Sequence, residues 1–262
     1  MMNEIKGFWS NFKKYQFLLR ELIKKGIVLK YRRSYLGLFW TLLEPLCTMM
    51  VLTIVFGGFF GQGDRLYPVY ILSGRLLYTF FNTSTKGCMR SMRKNAGMMK
   101  KVYVPKYMYP LSSVLYHYVI FLISLSVLVV IGGILGVRPS FSLLGAVIPL
   151  LLLLILSFGT GMILATLAVF FRDLEYLWGI ALMLIMYTSA IFYQPERVIS
   201  TGNGWVFKIN PLYACIHMFR SAIFGEPMDK GMLGLAVISC ILTVGIGISL
   251  FHKKEDEFIL YL

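Results

Sequence analysis

Acid, histidine and cysteine are all scarce in this sequence. Asp and Glu number 12 against 26 Lys and Arg, and only Glu44, Asp173 and Glu175 fall within or beside an apolar segment. His117, His217 and His252 are scattered, as are Cys47, Cys88, Cys215 and Cys240. No pair has metal-ligand spacing, so no metal site is expected and the cysteines read as packing residues. Membrane enzymes gather His, Asp or Glu near one face. That pattern is missing, which argues against catalysis, including transfer of a lipid-linked sugar. G-x-x-x-x-G-K-[ST], H-E-x-x-H and G-x-S-x-G are also missing. Without the first, the chain has no P-loop of its own for ATP. The opening "MMNEIKGFWSNFKKYQFLLR" lacks the apolar core and small residues of a signal peptide, so insertion is expected to use later segments.

Apolar residues are abundant. They make up 58% of the 262 residues, and the mean hydropathy is +0.72. They fall in blocks that reach the roughly 20 residues a helix needs to cross a bilayer. The expected fold is therefore all-α and integral to the membrane. Six spans are expected, near 36–60, 67–88, 108–136, 142–170, 175–193 and 231–251. They form one transmembrane domain over 36–251, between an N-terminal segment 1–35 and a tail 252–262. Basic residues orient it: nine Lys and Arg in 1–35 and seven in 86–106, against Arg65 alone in 61–66 and Arg138 alone in 137–140. By the positive-inside rule both termini are cytoplasmic. The segment 194–230, with Arg197, Lys208, Arg220 and Lys230, is a partial exception on the outside. Membrane lipids, not nucleic acid, are the expected counterpart of the net charge of +14.

Residues 8–27 have helical amphipathic spacing. Phe12, Tyr15, Leu18, Leu19, Leu22, Ile23 and Gly26 share one face, and Lys13, Lys14, Arg20, Glu21, Lys24 and Lys25 the other. Such a helix lies in the headgroup layer, or else docks on a partner. "NPLYACIHMFRSAIFG" (210–225) is too apolar for a solvated loop and too short to span. It reads as a re-entrant helix capped by Asn210 with Pro211 at its first position. The stretch 89–107, with Met89, Met92, Met98 and Met99 among lysines and arginines, suits docking into a partner's groove or contact with lipid. Charges inside spans are costly and therefore informative. Glu44 lies about three turns into the first span and Arg75 in the middle of the second. They could pair, or each could line a wet cavity. Pro45 removes a backbone donor and kinks its helix. Gly57/Gly61 and Gly132/Gly136 have the spacing of close helix contacts.

Four phrases in order carry a family resemblance: "LKYRRSYLGLFWTLLEPL" (29–46), "NAGMMKKVYVPKYMYPLSSVL" (95–115), "FFRDLEYL" (170–177) and "INPLYACIHMFRSAIFG" (209–225). Together they resemble the permease subunits of type-2 ABC exporters, and within these the ones that move O-antigen, capsular polysaccharide or teichoic acid. The resemblance implies a homodimer of six-span subunits in the bacterial plasma membrane. Two separate ATPase subunits would hold ATP and Mg, and this chain would hold no cofactor. A lipid-linked polymer would cross between the two copies. Lys30, Tyr31, Arg32 and Arg33 would meet the anionic lipid head at a cytoplasmic loading site. Asn95, Met98, Met99, Lys100, Lys101, Val102 and Tyr103 would form the helix that touches the ATPase, with Phe171, Arg172 and Asp173 in a second contact. Asn210, Pro211 and the helix to Arg220 would form the outer re-entrant pair.

Guanidinium groups suit bidentate phosphate binding, and sugars stack on aromatic faces. Phe39, Trp40, Glu44, Arg75, Tyr78, Phe81, Tyr187 and Phe192 are therefore candidates to line the channel. Phe80 and Tyr193 are further aromatic candidates. Packing or lipid contact is the alternative for each aromatic. The chain departs from the family twice. Where the family often reads "SPIFYP" it has "SAIFYQP" (189–195), so Ala190 is expected to leave that helix end less sharply broken. Arg75 stands where an apolar residue is expected, which points to an altered pathway or substrate preference. Three other functions compete with polysaccharide export: an exporter of the same fold for drugs, peptides or lipids, a membrane enzyme, and a scaffold. The intramembrane charges and re-entrant segment argue against a scaffold.

Overall fold

The computed structural model describes residues 2–32, 34–61, 64–101, 104–137 and 141–261, without the side chains of 2–14, 59, 197, 259 and 260. Among the described residues all regular structure is helical. The helices are α1 (Met2–Tyr31), α2 (Trp40–Phe56), α3 (Tyr67–Lys94), α4 (Ala96–Met99), α5 (Met108–Leu135), α6 (Val147–Phe170), α7 (Leu174–Tyr187), α8 (Glu196–Ile199), α9 (Trp205–Ile209), α10 (Pro211–Phe224), α11 (Lys230–Lys254) and α12 (Phe258–Tyr261). Four are long and apolar enough to cross a membrane, counting the 3₁₀ turns that lead into two of them: Gly37–Phe56, Met108–Leu135, Phe141–Phe170 and Lys230–Lys254.

The other two expected spans differ from the simple reading. α3 has 28 residues, but Arg75, its hydroxyl residues and its basic end dilute its apolarity. It can be polar because it is enclosed. It packs between α5 and α6, with α2 and α10 against it, and Leu72, Leu77, Cys88 and Met92 are fully buried. Its hydroxyls bond within the helix: Thr83 and Thr85 donate to the carbonyls of Thr79 and Phe81. A hydroxyl satisfied this way costs little to bury. α2 is peripheral and buries only Thr41 and Met49. α7 is shorter than the expected 175–193. At about 1.5 Å per residue its 14 residues span roughly 21 Å, short of the ~30 Å hydrocarbon layer.

Glycine sets one close contact, at a different place from the two expected spacings. A Cβ on Gly159 of α6 would lie 2.6 Å from the Val244 nitrogen of α11. One on Gly247 would lie 2.8 Å from the Gly159 oxygen. Gly57 to Gly61 instead form a single π-turn extending α2, and Gly136 ends α5 with φ +91°.

α1, around Leu19, and the tail helix α12 meet at one end of the bundle. There Leu19, Met92, Met108, Phe251 and Phe258 share a cluster with half-buried Met98, Met99 and Phe170. The apolar face of α1 turns onto this cluster and α5, so it docks on its own chain. The tail is docked as well: Phe258 is fully buried, and Lys106 Nζ donates to the Glu255 carbonyl.

Candidate functional site

A polar recess in the membrane-spanning part lies between α2, α3 and α5. It is a cavity of about 330 Å³. α2 presents Thr41, Glu44, Pro45 and Thr48, one turn apart. α3 presents Arg75, Thr79 and Thr83, spaced i, i+4, i+8 along one stripe. α5 adds His117 and Ser124, and Lys30 stands at the end nearest the termini. The sequence singled out Lys30, Glu44 and Arg75 separately, and the fold brings them to one recess. Glu44 and Arg75 do not pair, however. Among the described residues Arg75 Nη1 meets only the Met186 sulfur at 3.7 Å, and its guanidinium lies 5.7 Å from the Tyr78 ring centre. The Tyr31 hydroxyl bonds Thr41 Oγ1 at 2.6 Å, which closes α1 onto α2 beside the recess, and Lys30 Nζ stands 5.3 Å from the Tyr31 ring. Arg32 is exposed, and Arg33 lies outside the described residues.

The aromatic candidates divide. Phe39, Trp40 and Tyr187 are about half exposed. Tyr78, Phe81 and Phe192 are core residues, which corrects their assignment to a channel wall, whereas buried Phe80 borders the recess. The Tyr78 hydroxyl donates to the Leu182 carbonyl at 3.0 Å, Phe81 lies against Trp178, and Phe192 stacks on Phe56 at 5.2 Å. Half-buried Tyr193 donates its hydroxyl to the Tyr187 carbonyl at 2.6 Å.

At the far end, Arg220 holds three segments together. It is buried without a carboxylate partner among the described residues. Its guanidinium donates to the carbonyls of Ala190 (2.9 Å), Tyr70 (3.0 Å) and Ile191 (3.4 Å) and to Ser73 Oγ (3.4 Å). It lies 3.5 Å from the Tyr70 ring centre. Gly74 makes room, since a Cβ there would come within 2.5 Å of Arg220 Nη2. The same segment corrects the expectation for Ala190. α7 stops at Tyr187, and the chain bends sharply through 188–193 with Ala190 at φ +45°. Strain of that kind, of order 1–3 kcal/mol, persists only where surroundings dictate it. Here Tyr67 donates to the Phe192 carbonyl, and Tyr70 to those of Ala190 and Tyr193. The expected cap is present: Asn210 Oδ1 accepts from the backbone of Leu212 and Tyr213, with Pro211 at the first turn. Its amide also donates to Thr188 and Ser189, 3.0 Å each. Tyr67 and Tyr70 were not foreseen, although their spacing with Ser73 and Gly74 puts them on one side of α3.

At the terminal end, the methionine reading needs correcting. Met89 and Met92 are fully buried, and Met98 and Met99 are half-buried in the core cluster. Asn95, half-buried, bonds the Ser91 carbonyl and precedes the one-turn α4. Gly97, Lys100 and Lys101 are the exposed positions, and Val102 and Tyr103 lie outside the described residues. Phe171, Arg172 and Asp173 are exposed. Arg90 bonds Glu175, so the two turns are neighbours.

A family description, ABC-2 type transporter, matches residues 18–224. The chain belongs to the ABC-2 type transporter membrane family. Relatives of this ABC-2 chain match almost end to end. It is 28% identical to an O-antigen export system permease protein RfbA of Klebsiella pneumoniae, over 92% of this chain and 93% of that one. It is 27% identical to the protein of the same name in Myxococcus xanthus, over 93% and 95%. It is 23% identical to the polysialic acid transport protein KpsM of Escherichia coli, over 95% and 98%.

Proposed function

We propose that this chain is the membrane subunit of an ATP-driven exporter that moves a lipid-linked polysaccharide, of O-antigen, capsule or teichoic acid type, across the bacterial plasma membrane. The observation that carries this is the end-to-end similarity to O-antigen and polysialic acid export permeases. Two copies would form the exporter, with two ATPase subunits that hold ATP and Mg, because this chain has no P-loop. Six crossings, by α2, α3, α5, α6, α7 together with the bend through 188–193, and α11, would leave both termini in the cytoplasm. Two facts support this: α1 and α12 share one end of the bundle, and that end is basic. The chain from 188 to 224 would turn back at the outer face, its free backbone groups taken up by Tyr67, Tyr70, Asn210 and Arg220.

In this reading Lys30 and Arg32 receive the anionic head at the cytoplasmic surface. Lys100, Lys101, Arg172 and Asp173 face the ATPase, while Met98 and Met99 hold their turn against the core. Phe39, Trp40 and Tyr187 face the second copy or the polymer. Depleting the protein should trap lipid-linked polymer in the cytoplasmic leaflet. Normal surface polymer after depletion would refute the reading. Retention of a drug in place of polymer would favour an exporter of the same fold for small amphiphiles.

A further inference from the structure

The recess between α2, α3 and α5 has an unusual electrostatic make-up. It holds two cations, Lys30 and Arg75, against one carboxylate, Glu44. Among the described residues neither Arg75 nor Glu44 has an ion-pair partner. Arg75 carries five N–H donors. Among the described residues, a thioether sulfur at 3.7 Å, a weak acceptor, is all that bonds to them. A guanidinium at membrane depth is costly to leave in this state. Arg220, at the far end, shows the contrast: its donors reach three carbonyls and a hydroxyl. Among the described residues the other donors of Arg75 have no protein acceptor, and Arg75 lines the recess.

The remaining wall carries hydroxyls; those of Thr48 and Thr83 already donate to the Glu44 and Thr79 carbonyls of their own helices and offer acceptor oxygens to the recess. Thr79 and Thr83 continue the Arg75 stripe toward Lys30, and Thr48 faces them from α2. From Arg75 to Thr83 is eight residues, about 12 Å along the helix. The volume of about 330 Å³ lies in the ~300–1,000 Å³ range of small-molecule sites. Leu76, Phe80, Ile120 and Phe121 supply apolar surface between the polar stripes.

We propose that this recess binds an oxyanion-bearing saccharide group of the cargo within one subunit, with Arg75 as its deep anion ligand and the threonine stripe meeting sugar hydroxyls. A guanidinium fork matches both phosphate and carboxylate, so the oxyanion is either the lipid phosphate or an acidic sugar. The site lies beyond Lys30, so the group passes the surface cation before it reaches Arg75. The proposal rests on the export reading.

The test uses the full chain with its ATPase in phosphatidylcholine nanodiscs. Three radiolabelled probes are used: a polyprenyl phosphate, the matching neutral polyprenol, and an oligoglucuronate. Losing one charge-assisted contact should weaken binding about tenfold to a hundredfold. Arg75→Gln should therefore weaken the polyprenyl phosphate by that factor and leave the neutral polyprenol unchanged, with Arg75→Lys recovering much of the loss. If the loss falls on the oligoglucuronate instead, the proposal stands and the glycan supplies the oxyanion. Should Arg75→Gln fail to fold, Thr79→Val serves, with a several-fold loss expected on the oligoglucuronate, the probe that carries sugar hydroxyls. Wild-type protein that binds neither anionic probe would overturn the proposal, as would equal binding by wild type and both variants. Surface polymer separates this from the broader reading. Cells that lose surface polymer on depletion, yet keep it with Arg75→Gln and unaltered binding, export through this chain without an Arg75 site.

Discussion

Replacing glycine by alanine inside a helix ordinarily stabilises it by about 1 kcal/mol. Gly74, in the middle of α3, should do the opposite. An alanine Cβ there would stand 2.5 Å from Arg220 Nη2 and 3.6 Å from the Ile191 Cα. The second distance is ordinary contact, so the conflict is with the guanidinium alone. The end of an arginine is flexible, but this one is held by hydrogen bonds to Tyr70, Ala190, Ile191 and Ser73. Moving Nη2 aside sacrifices the 3.0 Å bond to Tyr70 and the weaker 3.4 Å bond to Ile191. Bonds from a charged donor contribute about 1.5–3 kcal/mol each, the long one less. The loss is therefore about 2–3 kcal/mol. Set against the helix gain, Gly74→Ala should destabilise by ~1–2 kcal/mol.

The sign should change when Arg220 is absent. In an Arg220→Ala background the clash and the bonds are both gone, and Gly74→Ala should again stabilise by a few tenths to ~1 kcal/mol. The coupling between the two sites is then about 2–3 kcal/mol, well above the ~0.5 kcal/mol scatter of independent positions. Equilibrium unfolding of the four proteins in mixed detergent–SDS micelles, followed by circular dichroism, measures it. If Gly74→Ala has the same effect in both backgrounds, Gly74 is not there to admit Arg220.

Three further outcomes are expected. Ala190→Gly should raise stability by ~1 kcal/mol in the same unfolding assay, because φ +45° is strained for alanine and free for glycine, whereas Ala190→Val should lower it. Asn210→Asp keeps the oxygen that caps α10 but loses the amide donors to Thr188 and Ser189. It should cost less than Asn210→Ala, which loses both functions at about 1–2 kcal/mol for the cap alone, and thermal denaturation of the two variants ranks them. Phe258→Ala should cost ~3–5 kcal/mol, because its ring is fully buried against Phe251 and Phe170. A tail free in the cytoplasm would give no change in melting temperature.

Long apolar segments with helical length were legible in the sequence, and α5, α6 and α11 fall within a few residues of the expected spans. The cap at Asn210 and Pro211 was legible too, because a cap is local chemistry. Enclosure was not. α3 and α2 read as equivalent spans, yet α3 is the buried centre and α2 a peripheral helix, and only packing distinguishes them. Met89 and Met92 looked like an exposed basic helix because lysines and arginines surround them. In three dimensions α3 runs on to Lys94, and one helical face carries the methionines inward while Arg90 and Lys94 point out. The sharp end of α7 carried no proline or glycine to announce it. It is imposed from outside by Tyr67, Tyr70 and Arg220, the last 30 residues away in sequence from Ala190.

The polar ties on α3 explain how a helix with little buried surface stays in place. α7 fully buries only Leu182 in its 14 residues. Apolar burial of that size cannot fix a helix against its neighbours. Four ties to α3 take over among the described residues: Arg90 to Glu175 at one end, Trp178 Nε1 to Thr85 Oγ1 at 3.1 Å, the Tyr78 hydroxyl to the Leu182 carbonyl at 3.0 Å, and, more weakly, Arg75 Nη1 to the Met186 sulfur at 3.7 Å. Beyond its last turn, Tyr70 and Arg220 hold the bend. Hydrogen bonds are directional and few, so they fix register without the broad contact that would lock the helix rigidly. An element held in this way can shift between discrete positions by exchanging a handful of bonds. α7 begins one residue after exposed Asp173 and ends three residues before Ala190. It therefore connects the turn proposed to meet the ATPase with the bend that Arg220 organises, and α3, packed between α5 and α6, carries the bonds that set its register.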